Sequence, residues 1–480
     1  MTLGDSAPTH APATPAPVRG DGPGLLAAIA AREPSIRILV DPGARESHRR
    51  DETAWLETGL PLAVAEPATT AQVAALVRLC AEFGVPIVPR GAGTGLSGGS
   101  AGIEGALTIS FMRMARVLEI DHANLTVTTQ PGIVNADLKA AVAAEGLFYA
   151  PDPASYETCT IGGNLGTNAG GLCCVKYGVT RDAVLGLEIV TAAGTVVRLG
   201  GKNIKDVAGY ALIPLIVGSQ GTLALVTEAT LRLRVAPPPH TTLLAFFPTI
   251  DAAGEAVAAM TMSGLVPVTL ELMDRITVRA VDDVHHLGLD RDAAAMLLVE
   301  SDLPGAAGIA EIEQADVACQ TAGASMTMRA ADAVEADWLR AGRRLAYRAL
   351  EEMGVARMED IGVPRSRIPD MLRAIELIAA NHRVTIGTFG HAGDGNLHPT
   401  FVLDRNEPEA AGLERIMGAK AALYEAALAF GGTVTGEHGI GASRQAWLHR
   451  QRGEDAMAMM RAVKGALDPA NLLNPGRVLG

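Results

Sequence analysis

The sequence predicts an α+β protein of two domains, and three observations carry that prediction. Apolar residues at helical spacing lead early into a short buried strand; alternating or β-branched runs recur from residue 125 to residue 235; and a proline triplet at 237–239 marks a change of pattern. A chain of 480 residues also exceeds what one compact core usually serves.

Taken in order, residues 1–24 hold prolines at 8, 12, 15, 17 and 23 among Ala, Thr and Gly, with neither a secretion signal's apolar run nor a transit peptide's arginines, and read as a disordered tail. After Thr69, Val73, Leu76, Val77, Cys80 and Phe83 recur at helical spacing, Gly84 supplies a stop, and VPIVP (85–89) reads as a buried strand. LTVTTQ (125–130), VLGLEIV (184–190), TVVRL (195–199), TLALVTE (222–228) and TLRLRV (230–235) read as further strands, with Ala193-Gly194 turning a hairpin. Pro237, Pro238 and Pro239 form a stiff break without donors. Beyond it come strand TLLAFF (242–247), a helix near 251–264, strand VTLELM (268–273) and a long helix over about 409–430 with Ile416, Leu423 and Phe430 on one stripe. The closing NLLNPGRVLG (471–480) is expected to return to the first domain. The resulting domains are 25–236, 240–455 and a C-terminal return at 456–480.

Composition excludes several function classes. A formal charge of -13 repels phosphate backbones and anionic lipid, which argues against nucleic-acid or membrane-surface binding. No apolar run reaches the roughly 18 residues of a membrane span. The five cysteines, at 80, 159, 173, 174 and 319, are scattered and unpaired in pattern, so a reducing, cytoplasmic setting is expected.

Glycine is concentrated in three turns. PRGAGTGLSGGS (89–100) follows a strand and lets backbone N–H groups converge on a phosphate or pyrophosphate; a mobile surface loop is the other reading. No amphipathic helix follows it, which excludes a Rossmann fingerprint. PDPASYETCTIGGNLGTNAGGL (151–172) offers small residues that can press against a ring system, and GSQGTLALVTEATLRL (218–233) gives a third turn. A ligand with both a diphosphate and a planar heterocycle would need all three.

His391 and His398 are seven apart, and Gly393-Asp394-Gly395 between them can turn the chain so that both imidazoles meet, with Glu437 added from GEHG. Two imidazoles and a carboxylate leave coordination positions open, as a catalytic metal requires. Satisfied structural histidines are the alternative, and a non-haem iron oxygenase site shares the donor set but would not need the three glycine turns.

The runs PRGAGTGLSGGS, PDPASYETCTIGGNLGTNAGG, KYGVTRD, GSQGTL, FGHAGDGNLHP, GEHGIG and NPGRVLG, in that order from about residue 50 onward, resemble those of FAD-dependent D-2-hydroxyacid dehydrogenases of the vanillyl-alcohol-oxidase-like superfamily. The group includes D-lactate dehydrogenases, glycolate oxidase flavoprotein subunits and D-2-hydroxyglutarate dehydrogenases. The resemblance implies a two-part FAD-binding domain with an inserted α/β cap (substrate) domain built on an antiparallel sheet. It implies a non-covalent FAD lined by Arg90, Gly91, Ala92, Gly93, Thr94, Gly95, Leu96 and Ser97 at the pyrophosphate. Pro151, Asp152, Ser155, Gly162, Gly163, Gly166, Thr167 and Asn168 would line the flavin, with further contacts at Gly221, Val226 and Asn474. It also strengthens the metal reading of His391, His398 and Glu437, with zinc ahead of manganese or iron. The sequence departs from the family at Gln220, where Glu is usual, and at Ala211, where an acidic residue is common.

The implied reaction moves a hydride from a 2-hydroxy acid to flavin N5. The hydroxyl proton must also leave, and from an alcohol of pKa about 16 to an imidazole of about 6.5 is uphill by roughly 12 kcal/mol, which a metal would lower. His438 is the expected base and, with Asn396, a substrate contact. In WLRAGRRLAYR (338–348), Arg340, Arg343, Arg344 and Arg348 are expected to share a helix side; a solvated face is the plain reading, and a carboxylate clamp at Arg343 the one the family's Trp-x-x-Arg segment implies, with Arg340 replacing the tryptophan. Met358 stands near where members acting on D-2-hydroxyglutarate carry a lysine, which favours a monocarboxylate such as D-lactate. The electron acceptor (quinone, cytochrome, electron-transfer flavoprotein or oxygen) and a homodimeric state stay open.

Overall fold

A computed structural model describes residues 20–53 and 56–480. They divide into two compact units: the chain up to Gly170 with Gly178–Ala236 and Glu437–Gly480, and Gly171–Tyr177 with Pro237–Gly436. The border at Ala236 and Pro237 falls on the proline triplet. The chain re-enters the first unit at Glu437, earlier than the expected 456. The reason lies in the bonds that follow, where Ala442 N donates to Ser97 O (2.8 Å) and Gly441 N to Gln220 Oε1 (2.7 Å). The excursion of residues 171–177 into the second unit also departs from the expected borders. Lys176 Nζ and Tyr177 Oη both bond the buried carboxylate of Asp302, and Val175 fills the space a side chain on Gly393 would take.

Most of the expected tail, 1–19, lies outside the described residues. Its last part is helical: Gly22–Arg32 is an α-helix whose Pro23 sits in the first turn, where its missing N–H costs nothing, and whose Asp21 side chain caps Gly24 N.

The first unit holds two sheets. One runs Arg37–Leu39, Ala63–Glu66, Leu107–Ser110, Ile87–Arg90, with the last three strands parallel. Helix Thr70–Phe83 packs on it; Thr69 caps Gln72 N, and Gly84 ends it at φ +66°. The closing segment does return to this unit: Ile87 bridges Leu473, and Asn474 N donates to Ile87 O (2.8 Å). Leu76, Val77, Cys80, Ile87, Leu107, Ile109 and Leu473 share one core, which stabilises by about 1.5–3 kcal/mol per large apolar side chain.

The other sheet, fully antiparallel, runs Val117–Asp121, Thr126–Thr129, Leu225–Arg232, Val184–Val190, Val196–Gly200. The two strands expected at 222–228 and 230–235 are one, Leu225–Arg232, alternating buried and half-buried with an irregularity near Thr227. No turn-forming residue stands between Glu228 and Thr230, so the pleat continues. Arg234–Val235 then pairs with Leu147–Phe148.

The second unit is built on an eight-stranded antiparallel sheet, ordered Met326–Arg329, Thr241–Phe247, Ala295–Ser301, Thr269–Asp274, Thr385–His391, Asn396–Leu403, Val355–Met358, with Ile361–Gly362 also on Asn396–Leu403. Helices Ile250–Met262, Ala333–Met353 and Glu409–Ala429 belong to it, and Ile416 and Leu423 of the last are buried.

Candidate functional site

Strands Thr385–His391 and Asn396–Leu403 form a hairpin whose register pairs His391 with Asn396 and Phe389 with His398. Side chains alternate faces along a strand, so these four residues share one face. The turn is closed by Gly395 at φ +86°, where any Cβ would lie 2.0 Å from Val363 O. The hairpin thus gathers the two imidazoles, edge to face with ring centroids 5.3 Å apart. Ligand atoms of His391, His398 and Glu437 all lie within 4.8 Å of one another. Ligands about 2.0–2.2 Å from one ion stand at most about 4.4 Å apart, so slight side-chain rotation would close the set.

The next strand supplies a residue absent from the sequence reading. Glu271 pairs with His391 across the sheet, and its Oε1 lies 2.6 Å from His391 Nδ1. Arg343 donates from Nε to Oε2 of the same carboxylate (2.7 Å), its Nη2 also lies 2.7 Å from that oxygen, and its guanidinium is 4.7 Å from the Phe389 ring centroid. The one available signal was a lone acid inside the apolar run TLELM.

The four arginines of helix Ala333–Met353 do not make the expected common face. Arg343 is buried on Glu271; Arg340 bonds Glu300 (2.9 Å) and Asp337 (3.1 Å); Arg344 bonds Asp337 (2.9 Å), and Arg348 is exposed. Successive helical residues are about 100° apart, so neighbours such as Arg343 and Arg344 point different ways. The Nη1 group of Arg343 takes no part in the pair with Glu271. Asn396 directs Nδ2 to Asp360 Oδ1 (2.7 Å) and Ile361 O (2.8 Å), which engages both amide protons and leaves Oδ1 as its polar atom for a ligand.

In the first unit the three glycine turns are knit together. Gln220 N donates to Gly166 O (2.8 Å), joining the third turn to the second. Gln220 Nε2 donates to Ser97 Oγ (3.1 Å), and Asn474 Nδ2 to Gly99 O (2.8 Å) and Gln220 O (2.7 Å), joining both to the first. The amide at 220 therefore donates and accepts at once. Ser97 Oγ donates to the carbonyl of His438 (3.0 Å), whose Nε2 is 3.8 Å from Glu437 Oε1.

The first turn packs so closely on Thr160, Arg90 and Leu56 that side chains on its glycines would collide with them. A Cβ on Gly91 would lie 2.2 Å from Thr160 Oγ1, and Gly93 (φ +82°) and Gly98 (φ +78°) hold a conformation glycine adopts freely. The Arg90 guanidinium is buried and bonds Ser100 O (3.1 Å) and Arg50 O (2.8 Å), so it braces the loop. Burial lowers its pKa, opposed by Asp51 and Glu52. The second cluster contains a short helix, Ile161–Thr167, capped by Thr160 and ended by Asn168 at φ +56°; Gly162, Gly163, Gly166 and Thr167 lie on it, with Pro151, Asp152 and Ser155 before it. Gly221 (φ +70°) sits against Pro89, and Val226 lies in strand Leu225–Arg232.

Family models match most of the chain: "FAD linked oxidases, C-terminal domain" over residues 236–478 and "FAD binding domain" over 61–200. The glycolate oxidase subunit GlcD of Bacillus subtilis (strain 168) is 45% identical over 421 residues, 87% of this chain and 89% of its own. A D-lactate dehydrogenase of Anaerostipes hadrus is 34% identical over 459 residues, 92% and 94% of the two chains. Among solved structures, p-cresol methylhydroxylase with substrate bound aligns at TM-score 0.78 and 15% identity over 95% of this chain and 96% of that one, a likeness of fold. The architecture is α+β with a vanillyl-alcohol-oxidase-like FAD-binding fold. Among the described residues no helix is long and apolar enough to cross a membrane.

Proposed function

The chain belongs to the FAD-linked D-2-hydroxyacid dehydrogenase family, and from that premise we propose that it oxidises a D-2-hydroxy acid, D-lactate first, to the 2-oxo acid. A non-covalent FAD would supply a hydride acceptor at N5, and a divalent ion held by His391, His398 and Glu437, zinc ahead of manganese or iron, would supply the acidity that brings a hydroxyl proton within a histidine's reach. His438 takes that proton as general base. Arg343 offers its Nη1/Nη2 edge to the substrate carboxylate, and Asn396 accepts at Oδ1. The glycine turns hold the cofactor, the first through its backbone N–H groups. The acceptor of the electrons would be a quinone, a cytochrome or an electron-transfer flavoprotein.

The gathering of His391, His398 and Glu437 within 4.8 Å carries this reading. Met358 supports a monocarboxylate: it pairs with Thr400, two residues from His398 on the same face, and brings no second cation. Glycolate oxidation as one subunit of an assembly is the second reading, favoured by the 45% identity to the glycolate oxidase subunit. The test is anaerobic mixing of the FAD-loaded protein with D-lactate, glycolate or D-2-hydroxyglutarate while metal content is measured. Rapid bleaching of the flavin by D-lactate is expected; faster bleaching by glycolate selects the second reading, and no bleaching by any of them overturns both.

A further inference from the structure

Glu271 lies mid-strand with 1% of its surface exposed. An ionised carboxylate is costly there unless both oxygens are engaged, and both are, one by His391 and one by Arg343. A carboxylate oxygen only accepts, so His391 Nδ1 carries the ring proton and Nε2 is left as the metal-binding nitrogen.

We propose that Glu271 is the positioning residue of this site, an inference that rests on the ion reading above: one carboxylate fixes the tautomer and ring plane of His391 and also orients Arg343. Partners of this kind behind a ligating imidazole raise its basicity and hold its direction, and their loss typically weakens metal binding about 10–100-fold. Ion affinity and carboxylate binding thereby depend on the same side chain.

The structure contains its own control. Glu300, on the neighbouring strand Ala295–Ser301, is equally buried and takes Arg340 Nη1 (2.9 Å) and Thr242 Oγ1 (3.0 Å). It ties the same helix to the same sheet, yet its partners are Arg340, Thr242 and His240 rather than His391 or His398. A purely structural role for Glu271 would make the two equivalent.

The test measures zinc affinity of the FAD-loaded full chain by competition with a chromogenic chelator, for the parent and for Glu271→Ala, Glu271→Gln and Glu300→Gln. The expected result is about 10–100-fold weaker zinc binding for Glu271→Ala, a smaller loss for Glu271→Gln, which keeps an acceptor for Nδ1–H, and a change within about threefold for Glu300→Gln. Should Glu271→Ala fail to fold, Glu271→Gln against Glu300→Gln carries the comparison. Equal zinc affinity in the Glu271 variants and a zinc-binding parent, or an equal loss in Glu300→Gln, overturns the positioning role. A parent that binds no zinc overturns the ion reading itself and this inference with it.

Discussion

Ser97 Oγ donates to the carbonyl of His438 across 341 residues of chain, at 3.0 Å. The same hydroxyl accepts from Gln220, whose own oxygen accepts from Gly441 N, so the turn bearing the proposed base is fastened to the first and third glycine turns. Ser97→Ala removes both hydrogen bonds and deprives the buried Gln220 Nε2 of this acceptor, a cost of about 1–3 kcal/mol. Because the chain at His438 is then less constrained, flavin reduction by D-lactate should slow by roughly 10-fold with FAD still bound. Stopped-flow reduction alongside a count of bound flavin checks this; loss of FAD with an unchanged rate would place Ser97 in cofactor binding alone.

His438→Ala should slow flavin reduction by at least about 100-fold while zinc and FAD contents stay at the parent's level. The discriminating measurement is the single-turnover rate, since it isolates the proton-coupled step from later electron transfer. A parental rate would remove His438 from the mechanism.

Arg343 has a structural and a functional consequence that separate by substitution. Arg343→Ala leaves the buried Glu271 carboxylate without its main counter-charge, and loss of one partner of a buried pair costs about 3–5 kcal/mol, read as a lower unfolding midpoint in urea. Arg343→Lys keeps the charge but not the two-edged fork, so stability should fall less while KM for the hydroxy acid rises about 10-fold or more. A KM unchanged in the lysine variant would confine Arg343 to holding Glu271.

Local chemistry made much of this legible in the sequence. The stop at Gly84, the hairpin turn at Gly194 (φ +72°) and the histidines flanking Gly395 are all set by a few adjacent residues. Glu271 was not legible, because it reaches His391 through a strand register that joins positions 120 apart. The excursion at 171–177 was illegible for the same reason, since Asp302, which draws Lys176 and Tyr177 to it, is more than a hundred residues away. Arginine spacing misled in another way: it fixes an angular position on the helix, whereas the carboxylates at 271, 300 and 337 decide where each guanidinium goes.

Acid should stabilise the second unit through Asp274, which caps helix Arg275–His285 at Thr277 N (2.8 Å) and also accepts from Thr388 N (2.8 Å). Burial dominates over these hydrogen bonds and raises its pKa to about 6. The unfolded carboxyl ionises near about 3.9, so between pH of about 4 and about 6 the unfolded state loses its proton while the folded state keeps it. Its contribution is therefore fully present below about pH 4, falls as pH rises through about 6, and totals on the order of 3 kcal/mol. Asp274→Asn cannot titrate, so the difference in urea midpoint between parent and variant should shift in the parent's favour as pH drops from about 7 to about 4.5. A difference that stays constant across that range would mean that the buried carboxyl titrates as it does in the unfolded chain.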